Sequence, residues 1–174
     1  MTRDWRLYII RMIEVKQELF DADKERLWEY HWPRVAASEA TLAHVENHLG
    51  FELDPEYREF LATGDGWPWF FHSACLFGSS ELLGSPALLA ANAMLDVAAP
   101  YIESQCGVQR SAVFPIASAS MDKDIFFMQI QNGVLCPPIV WWAGEEIDRY
   151  VSFAEFFASM IEYNKRSLKA LREE

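Results

Sequence analysis

The chain has 174 residues, with 26 acidic and 15 basic side chains, so its formal net charge is −11. Apolar residues make up 51% and aromatic residues 14%, a composition too apolar for a disordered chain and too acidic for the basic patches of a nucleic-acid-binding domain. The length suits one domain whose core is large enough to fold without disulfides or a metal.

The first 34 residues predict a helical extension. Apolar side chains recur at helical spacing on one face of the first segment, which ends near Asp21; they are Trp5, Tyr8, Ile9, Met12, Ile13 and Leu19. A second apolar group, from Leu27 to Trp32, fits either a helix or a loop and is closed by Pro33. We therefore treat residues 1–34 as an N-terminal extension that is helical at least in its first part.

Two short helices are predicted next from their capping residues. Ser38 is a good N-cap for an amphipathic helix that Gly50 ends, since glycine tolerates the left-handed conformation of a C-terminal cap. Asp54 and Pro55 open the following helix as N-cap and first helical residue. The Gly64-Asp65-Gly66 turn stops that second helix.

The middle of the chain predicts two short aromatic strands and another helix. The strands are expected at Trp67–Phe71 and Leu76–Phe77. Ser85 and Pro86 begin the helix, and Pro100 is expected to break it.

The last third of the chain predicts a β-meander followed by a helix. Strands are expected at Val113–Ala117, where Pro115 suggests an edge or a strand start, and at Ile125–Ile130, in the centre of the sheet. Two more are expected at Ile139–Trp142 and near Tyr150–Val151. Asn132-Gly133 is a strong hairpin signal. Ser152 and Glu155 form a capping box before the final helix. The predicted fold is α+β, a single domain with a mainly antiparallel sheet flanked by helices.

The sequence also predicts a cytoplasmic chain. Charges at Arg3, Arg6 and Arg11 interrupt the apolar stretch that a signal peptide needs, and no run is long enough to span a membrane. Three widely spaced cysteines do not form a disulfide framework, which favours free thiols in a reducing compartment.

Residues able to carry chemistry are few. His44 and His48 lie one helical turn apart, but the acidic residue between them is not in the zinc-protease position, so we predict no metal site. His72 and Cys75 are the one conceivable nucleophilic pair, although no third group is evident to orient them. No cofactor-binding motif occurs. The sequence therefore predicts a protein that is not an enzyme and has no cofactor.

Acidic and aromatic residues cluster at two places that are candidates for partner binding. One is a loop with Glu145, Glu146 and Asp148 beside a tryptophan-containing strand. The other is the segment of Trp67 and Trp69, where tryptophan serves in interfaces as well as in cores. We take these five residues as the candidate contacts.

The stretch from Leu49 to Leu61 with Asp65-Gly66 resembles the signature of the SUKH superfamily, which includes the yeast cell-wall synthesis regulator and many bacterial toxin-immunity proteins. The resemblance continues in order through Phe114–Ala117, Gly133 and the final helix, so that it covers residues 38–161. Asp65 stands where the superfamily usually has Asn.

The resemblance implies a scaffold that binds proteins and has no active site. We expect an immunity protein that neutralises a bacterial toxin domain by direct binding, with a basic toxin as partner because this chain is acidic. The alternatives are a regulatory or scaffold protein that binds cellular partners, and a small-molecule enzyme that uses Cys75 and His72. Direct nucleic-acid binding and membrane insertion are not expected.

Overall fold

A computed structural model of the protein describes residues 3–173. One six-stranded antiparallel sheet is flanked by six α-helices, which confirms the predicted fold class. The helices are α1 (Trp5–Ala22), α2 (Glu39–Leu49), α3 (Pro55–Leu61), α4 (Ser79–Leu82), α5 (Pro86–Cys106) and α6 (Phe153–Glu173). The strands are β1 (Trp67–Phe71), β2 (Ala74–Leu76), β3 (Val113–Ala119), β4 (Ile125–Gln131), β5 (Val134–Trp142) and β6 (Glu146–Tyr150).

The capping residues of α2 and α3 act as predicted from the sequence. The Ser38 side chain accepts a hydrogen bond of 3.1 Å from the Thr41 amide, and Gly50 ends α2 with a φ of 77°. The Asp54 carboxylate accepts one of 3.0 Å from the Tyr57 amide at the start of α3. The apolar group around Leu27–Trp32, by contrast, contains no helix, so the loop alternative is correct.

The strands follow one another in the sheet in the same order as in the chain. Every neighbouring pair is antiparallel, and the connection between β2 and β3 contains α4 and α5. This arrangement places β1 and β6 at opposite edges of the sheet. Five spacings between neighbouring strands separate them by about 24 Å.

The prediction that Pro115 marks an edge strand is wrong. Strand β3 lies between β2 and β4, and all seven of its residues are buried. The register of β3 against β4 shifts between Pro115 and Ala117. Proline lacks the N–H that a regular ladder needs, and a bulge is the position inside a sheet where that loss is tolerated.

The prediction that Pro100 breaks its helix is also wrong. Helix α5 runs without interruption from Pro86 to Cys106 and contains Pro100. Pro100 is exposed, so water can reach the backbone carbonyl that its missing N–H leaves without a partner. The continuous helix is therefore 21 residues long and presents a long outer face to solvent.

The N-terminal helix packs in parallel with the C-terminal helix. Trp5 lies 6.1 Å from Phe157 between ring centres, and further along the Met12 sulfur lies 3.6 Å from the Asn164 amide nitrogen. Near the ends of the two helices, Arg172 donates to the Glu18 carboxylate at 2.8 Å. The apolar side chains of α1 that face α6 are buried, so α1 is part of the core.

The segment that resembles the superfamily signature joins three elements through buried contacts. The Tyr57 hydroxyl donates a hydrogen bond of 2.6 Å to the Phe77 carbonyl. The Asp65 carboxylate accepts one of 2.7 Å from the Ser79 amide and another from the Ser79 hydroxyl. A Cβ added at Gly78 would lie 2.2 Å from the Asp65 carbonyl oxygen, so a side chain does not fit there. The signature therefore fixes how α3, the following turn and α4 meet.

Candidate partner-binding surface

The five predicted contact residues do not form one surface. Trp67 and Trp69 belong to β1, whereas Glu146 and Asp148 belong to β6 at the opposite edge of the sheet. Glu145 lies in the turn that precedes β6. A partner that contacts the acidic group therefore meets a different part of the molecule from one that contacts the tryptophans.

Trp67 is a core residue, which corrects its prediction as a contact. Its side chain is 0% exposed, and its indole N–H donates a hydrogen bond of 2.8 Å to the His31 carbonyl. The indole ring lies within 6.2 Å of the Phe157 ring, centre to centre. Burial of so large an apolar side chain stabilises the fold and removes it from the surface.

Trp69 is half-buried, with a left-handed backbone at a φ of 52°. Its amide donates to the Cys75 sulfur at 3.4 Å, and its carbonyl accepts from the Lys16 amine at 2.8 Å. The backbone of this residue is therefore held by two side chains from other elements.

Glu146 and Asp148 are bound within the molecule. Glu146 accepts two hydrogen bonds of 2.7 Å from the Arg149 guanidinium, and the same interaction lowers the pKa of the Glu146 carboxyl. The Cys106 thiol donates to Glu146 at 3.2 Å. Asp148 accepts from the Arg149 amide at 2.8 Å and from the Tyr163 hydroxyl at 3.2 Å. Much of the charge on these two carboxylates is therefore compensated internally.

Carboxylates also protect the free edge of β6. Asp148 accepts from the Arg149 amide, and Glu155 accepts from the Val151 amide at 2.6 Å. In the predicted capping box, Ser152 does accept from the Glu155 amide at 3.1 Å, but the returning bond from Glu155 goes to Val151 and not to Ser152. The N–H of Arg149 in β6 and that of Val151, just after the strand, are thus already occupied, which leaves fewer donors for an added strand.

Glu145 differs from its two acidic neighbours because it is exposed, and its carboxylate has no hydrogen bond or ion pair to any residue in 3–173. Its carbonyl accepts from the Ala143 amide at 3.0 Å, which shapes the turn between β5 and β6. The charge of Glu145 is therefore available to an outside group.

A mostly apolar groove lies next to Glu145, and Gly144 is part of its lining. It has a volume of about 540 Å³ and lies between the outer face of α5 and the adjoining ends of β4 and β5. Val97 and Tyr101 line it from α5 and are 78% and 62% exposed. The buried pair Ile125 and Trp142, which face each other across β4 and β5, line its sheet side. We call this feature the α5 groove; it is lined by Ala93, Met94, Val97, Ala98, Tyr101, Lys123, Ile125, Trp142 and Gly144.

Sequence reasoning missed the α5 groove, although a signal for it exists. The buried stripe of α5 consists of Leu88, Ala91, Leu95 and Ile102, yet apolar residues also occur at positions that this stripe does not use. Val97 and Tyr101 are two of them, and both are exposed. A helix that is apolar on more than one face indicates a second contact surface.

His72 and Cys75 each have other partners. The His72 ring stacks on Trp28 at 4.5 Å between ring centres and shares a hydrogen bond of 2.9 Å with the Ser167 hydroxyl. Burial lowers the pKa of His72 and raises the pKa of the Cys75 thiol. A raised thiol pKa leaves less of the reactive thiolate at neutral pH.

Residues 3–173 contain no group of three or more His, Cys, Asp or Glu side chains placed to hold a metal ion. His44 and His48 are both exposed on α2. Within the same residues, no helix combines the length and the apolar character that crossing a membrane requires.

A helix-flanked antiparallel meander with the signature contacts around Tyr57 and Asp65 defines the class of fold, and comparison with protein families agrees with it. The model of the SMI1 / KNR4 family (SUKH-1) matches residues 36–159. The chain belongs to this family, which confirms the resemblance seen in its sequence. No curated protein matches the chain significantly. Helix α1 lies outside the matched residues.

Proposed function

We propose that the protein is a non-catalytic binding module of the immunity type, which neutralises a bacterial toxin domain in the cytoplasm by direct binding. Membership of the SUKH-1 family supports a role in protein binding. The observation that carries the proposal is the α5 groove, an exposed apolar surface that ends beside the unpaired Glu145. Apolar surface next to an available charge is the composition of a protein interface.

The toxin domain that fits this surface is basic. The chain carries a net charge of −11, which speeds encounter with a positive partner and orients it. In the complex, an apolar segment of the toxin occupies the α5 groove between Val97 and Trp142. A Lys or Arg that flanks this segment then reaches Glu145. Glu146, Asp148 and Trp69 are peripheral candidates, because internal partners already hold the two carboxylates and the Trp69 backbone.

If the neighbouring gene encodes a toxin domain, the first test is a titration against that domain. We expect tight binding in calorimetry that weakens as salt is added, and rescue of growth when both proteins are expressed together. Absence of heat at low salt together with absence of rescue would contradict the immunity proposal.

Two pairs of variants locate the surface. Val97→Asp places a charge in the α5 groove and should weaken binding strongly, whereas Leu89→Asp makes the same change at an exposed residue of α5 outside the groove lining. Glu145→Lys should weaken binding and reduce its salt dependence, whereas Glu14→Lys reverses an exposed charge on α1. Equal effects within each pair would place the interface elsewhere.

The alternative is a regulatory or scaffold role, in which a cellular protein occupies the same groove. Pull-down with the wild type and with Val97→Asp in cells that lack the toxin separates the two roles. A specific partner that is lost with Val97→Asp, in a protein that neither binds nor neutralises the toxin, would favour the scaffold role.

A further inference from the structure

A small pocket lies at the N-terminal extension, apart from the proposed toxin surface. It has a volume of about 230 Å³ and is formed by the second half of α1 and the segment 30–32. All of its lining residues precede the part of the chain that matches the family model. They are Lys16, Gln17, Phe20, Tyr30, His31 and Trp32.

Lys16 is a buried cation in this pocket. Lys16 is 3% exposed, and its amine donates one hydrogen bond of 2.8 Å to the Trp69 carbonyl. The amine also lies 5.2 Å from the centre of the Tyr30 ring, which forms a pocket wall. Among the described residues, no carboxylate lies within 4.0 Å of the amine.

The two carboxylates that contact the Tyr30 and His31 side chains of the pocket are occupied by those and other donors. Asp23 accepts hydrogen bonds from the Leu27 amide at 3.0 Å and from the Tyr30 hydroxyl at 2.9 Å. Glu29 lies 2.8 Å from the His31 ring. Lys16 therefore lacks the counter-ion that buried charges normally have.

Burial lowers the pKa of Lys16 to about 8, and no neighbouring carboxylate opposes this effect. The amine is still mostly protonated at neutral pH. It thus keeps its positive charge in a low-dielectric site, where an added anion gains more than it would in water. The one hydrogen bond that the amine donates leaves two of its three ammonium N–H groups for such an anion.

We propose that this pocket binds a small aromatic monocarboxylate. The carboxylate accepts hydrogen bonds from the Lys16 amine and neutralises its charge. The ring of the ligand packs among Phe20, Tyr30 and Trp32, whose faces and edges suit an aromatic partner. The pocket is below the usual size of a drug-sized site, which limits the ligand to about one ring.

The test uses benzoate as the probe, with benzamide as its neutral analogue and acetate as a carboxylate without a ring. Benzoate should raise the melting temperature of the wild-type protein in proportion to the logarithm of its concentration, because it binds the folded state. Benzamide and acetate should have smaller effects. Calorimetry should give at least roughly tenfold weaker benzoate binding for Lys16→Met, since a charge-assisted hydrogen bond is lost.

Trp32→Ala supplies a second variant, because Trp32 is 55% exposed and its loss should leave the fold intact. This variant should weaken benzoate binding because a ring contact is lost. If Lys16→Met does not fold, the benzoate affinity of Trp32→Ala alone tests the proposed pocket. The proposal is overturned if benzoate does not bind the wild type, if benzamide or acetate binds equally well, or if neither variant weakens binding. Toxin binding tests the proposed function separately, so either idea can fail alone.

Discussion

The Tyr57 hydroxyl donates a 2.6 Å hydrogen bond to the carbonyl of Phe77, and both residues are fully buried. This bond joins α3 to the segment that follows β2. Removing the hydroxyl in Tyr57→Phe leaves a buried carbonyl without a partner, so we expect a loss of about 1–3 kcal/mol in the free energy of unfolding. Denaturant unfolding measures it. Tyr101→Phe, at an exposed hydroxyl, is the control, and an equal loss there would refute the assignment.

Gly78 is the position in the signature contacts where a side chain has least room. In Gly78→Ala the added Cβ would meet the Asp65 carbonyl oxygen at 2.2 Å, which forces the two backbones apart. We expect a destabilisation of about 3 kcal/mol or more. Gly50→Ala is the comparison, because open space surrounds its Cβ and the left-handed backbone alone should cost about 1 kcal/mol. Thermal and denaturant unfolding of both variants should reproduce this order; the reverse order would show that the contact is relieved easily.

Asp65 tolerates the residue that is usual in the superfamily. In Asp65→Asn the amide oxygen can still accept from the Ser79 amide, and the NH₂ group can donate to the Ser79 hydroxyl. We therefore expect a change below about 1 kcal/mol for Asp65→Asn, but a loss of about 1–3 kcal/mol for Asp65→Ala, which removes both bonds. Unfolding midpoints in urea compare the two, and similar losses for both would mean that the negative charge matters more than the bonds.

Lys16 should make stability rise with pH. Its pKa is about 8 in the folded protein and near 10.5 in the unfolded chain, so above pH 8 the unfolded chain binds more protons. The free energy of unfolding should therefore gain roughly 2 kcal/mol from this residue between pH 7 and pH 9.5.

Lys16→Met isolates this effect, because the cysteines and tyrosines that also titrate are common to both proteins. The difference in stability between wild type and variant should change with pH by that amount in favour of the wild type. A difference that stays constant across the range would mean that the Lys16 amine is not buried in solution.

Local sequence signals predict most of the helix ends and the hairpin, because interactions within a few residues determine these features. Ser38, Gly50 and Asp54 bind or cap backbone groups within a few residues, so their roles can be read from sequence alone. The hairpin at Asn132-Gly133 joins β4 to β5 for the same reason. Two predictions are wrong. Helix α5 continues through Pro100 because that residue is exposed to solvent, and β3 accepts Pro115 inside the sheet because its pairing with β4 has a bulge there.

The candidate surface was harder to predict because its parts are distant in sequence. The sequence indicates Glu145 as a candidate because of its loop. That the Glu145 side chain lacks a partner becomes visible only in the structure, where Arg149 binds Glu146 instead. Residue type alone makes Trp67 a candidate contact, although its burial depends on Phe157 of α6 and on the loop segment that contains His31. The α5 groove needs α5 and the ends of β4 and β5 together, and no local pattern gives that arrangement.

The parallel pairing of α1 with α6 has a consequence for synthesis. Among the described helices, α1 is made before the other five and packs along α6, which is made after them, as the contact of Trp5 with Phe157 and that of Glu18 with Arg172 show. The part of the apolar face of α1 that contacts α6 therefore stays exposed until α6 has been made, and a nascent chain in that state is prone to aggregate. A fragment cut to residues 36–159 would lack α1 and most of α6, so a fragment meant to fold should retain both helices.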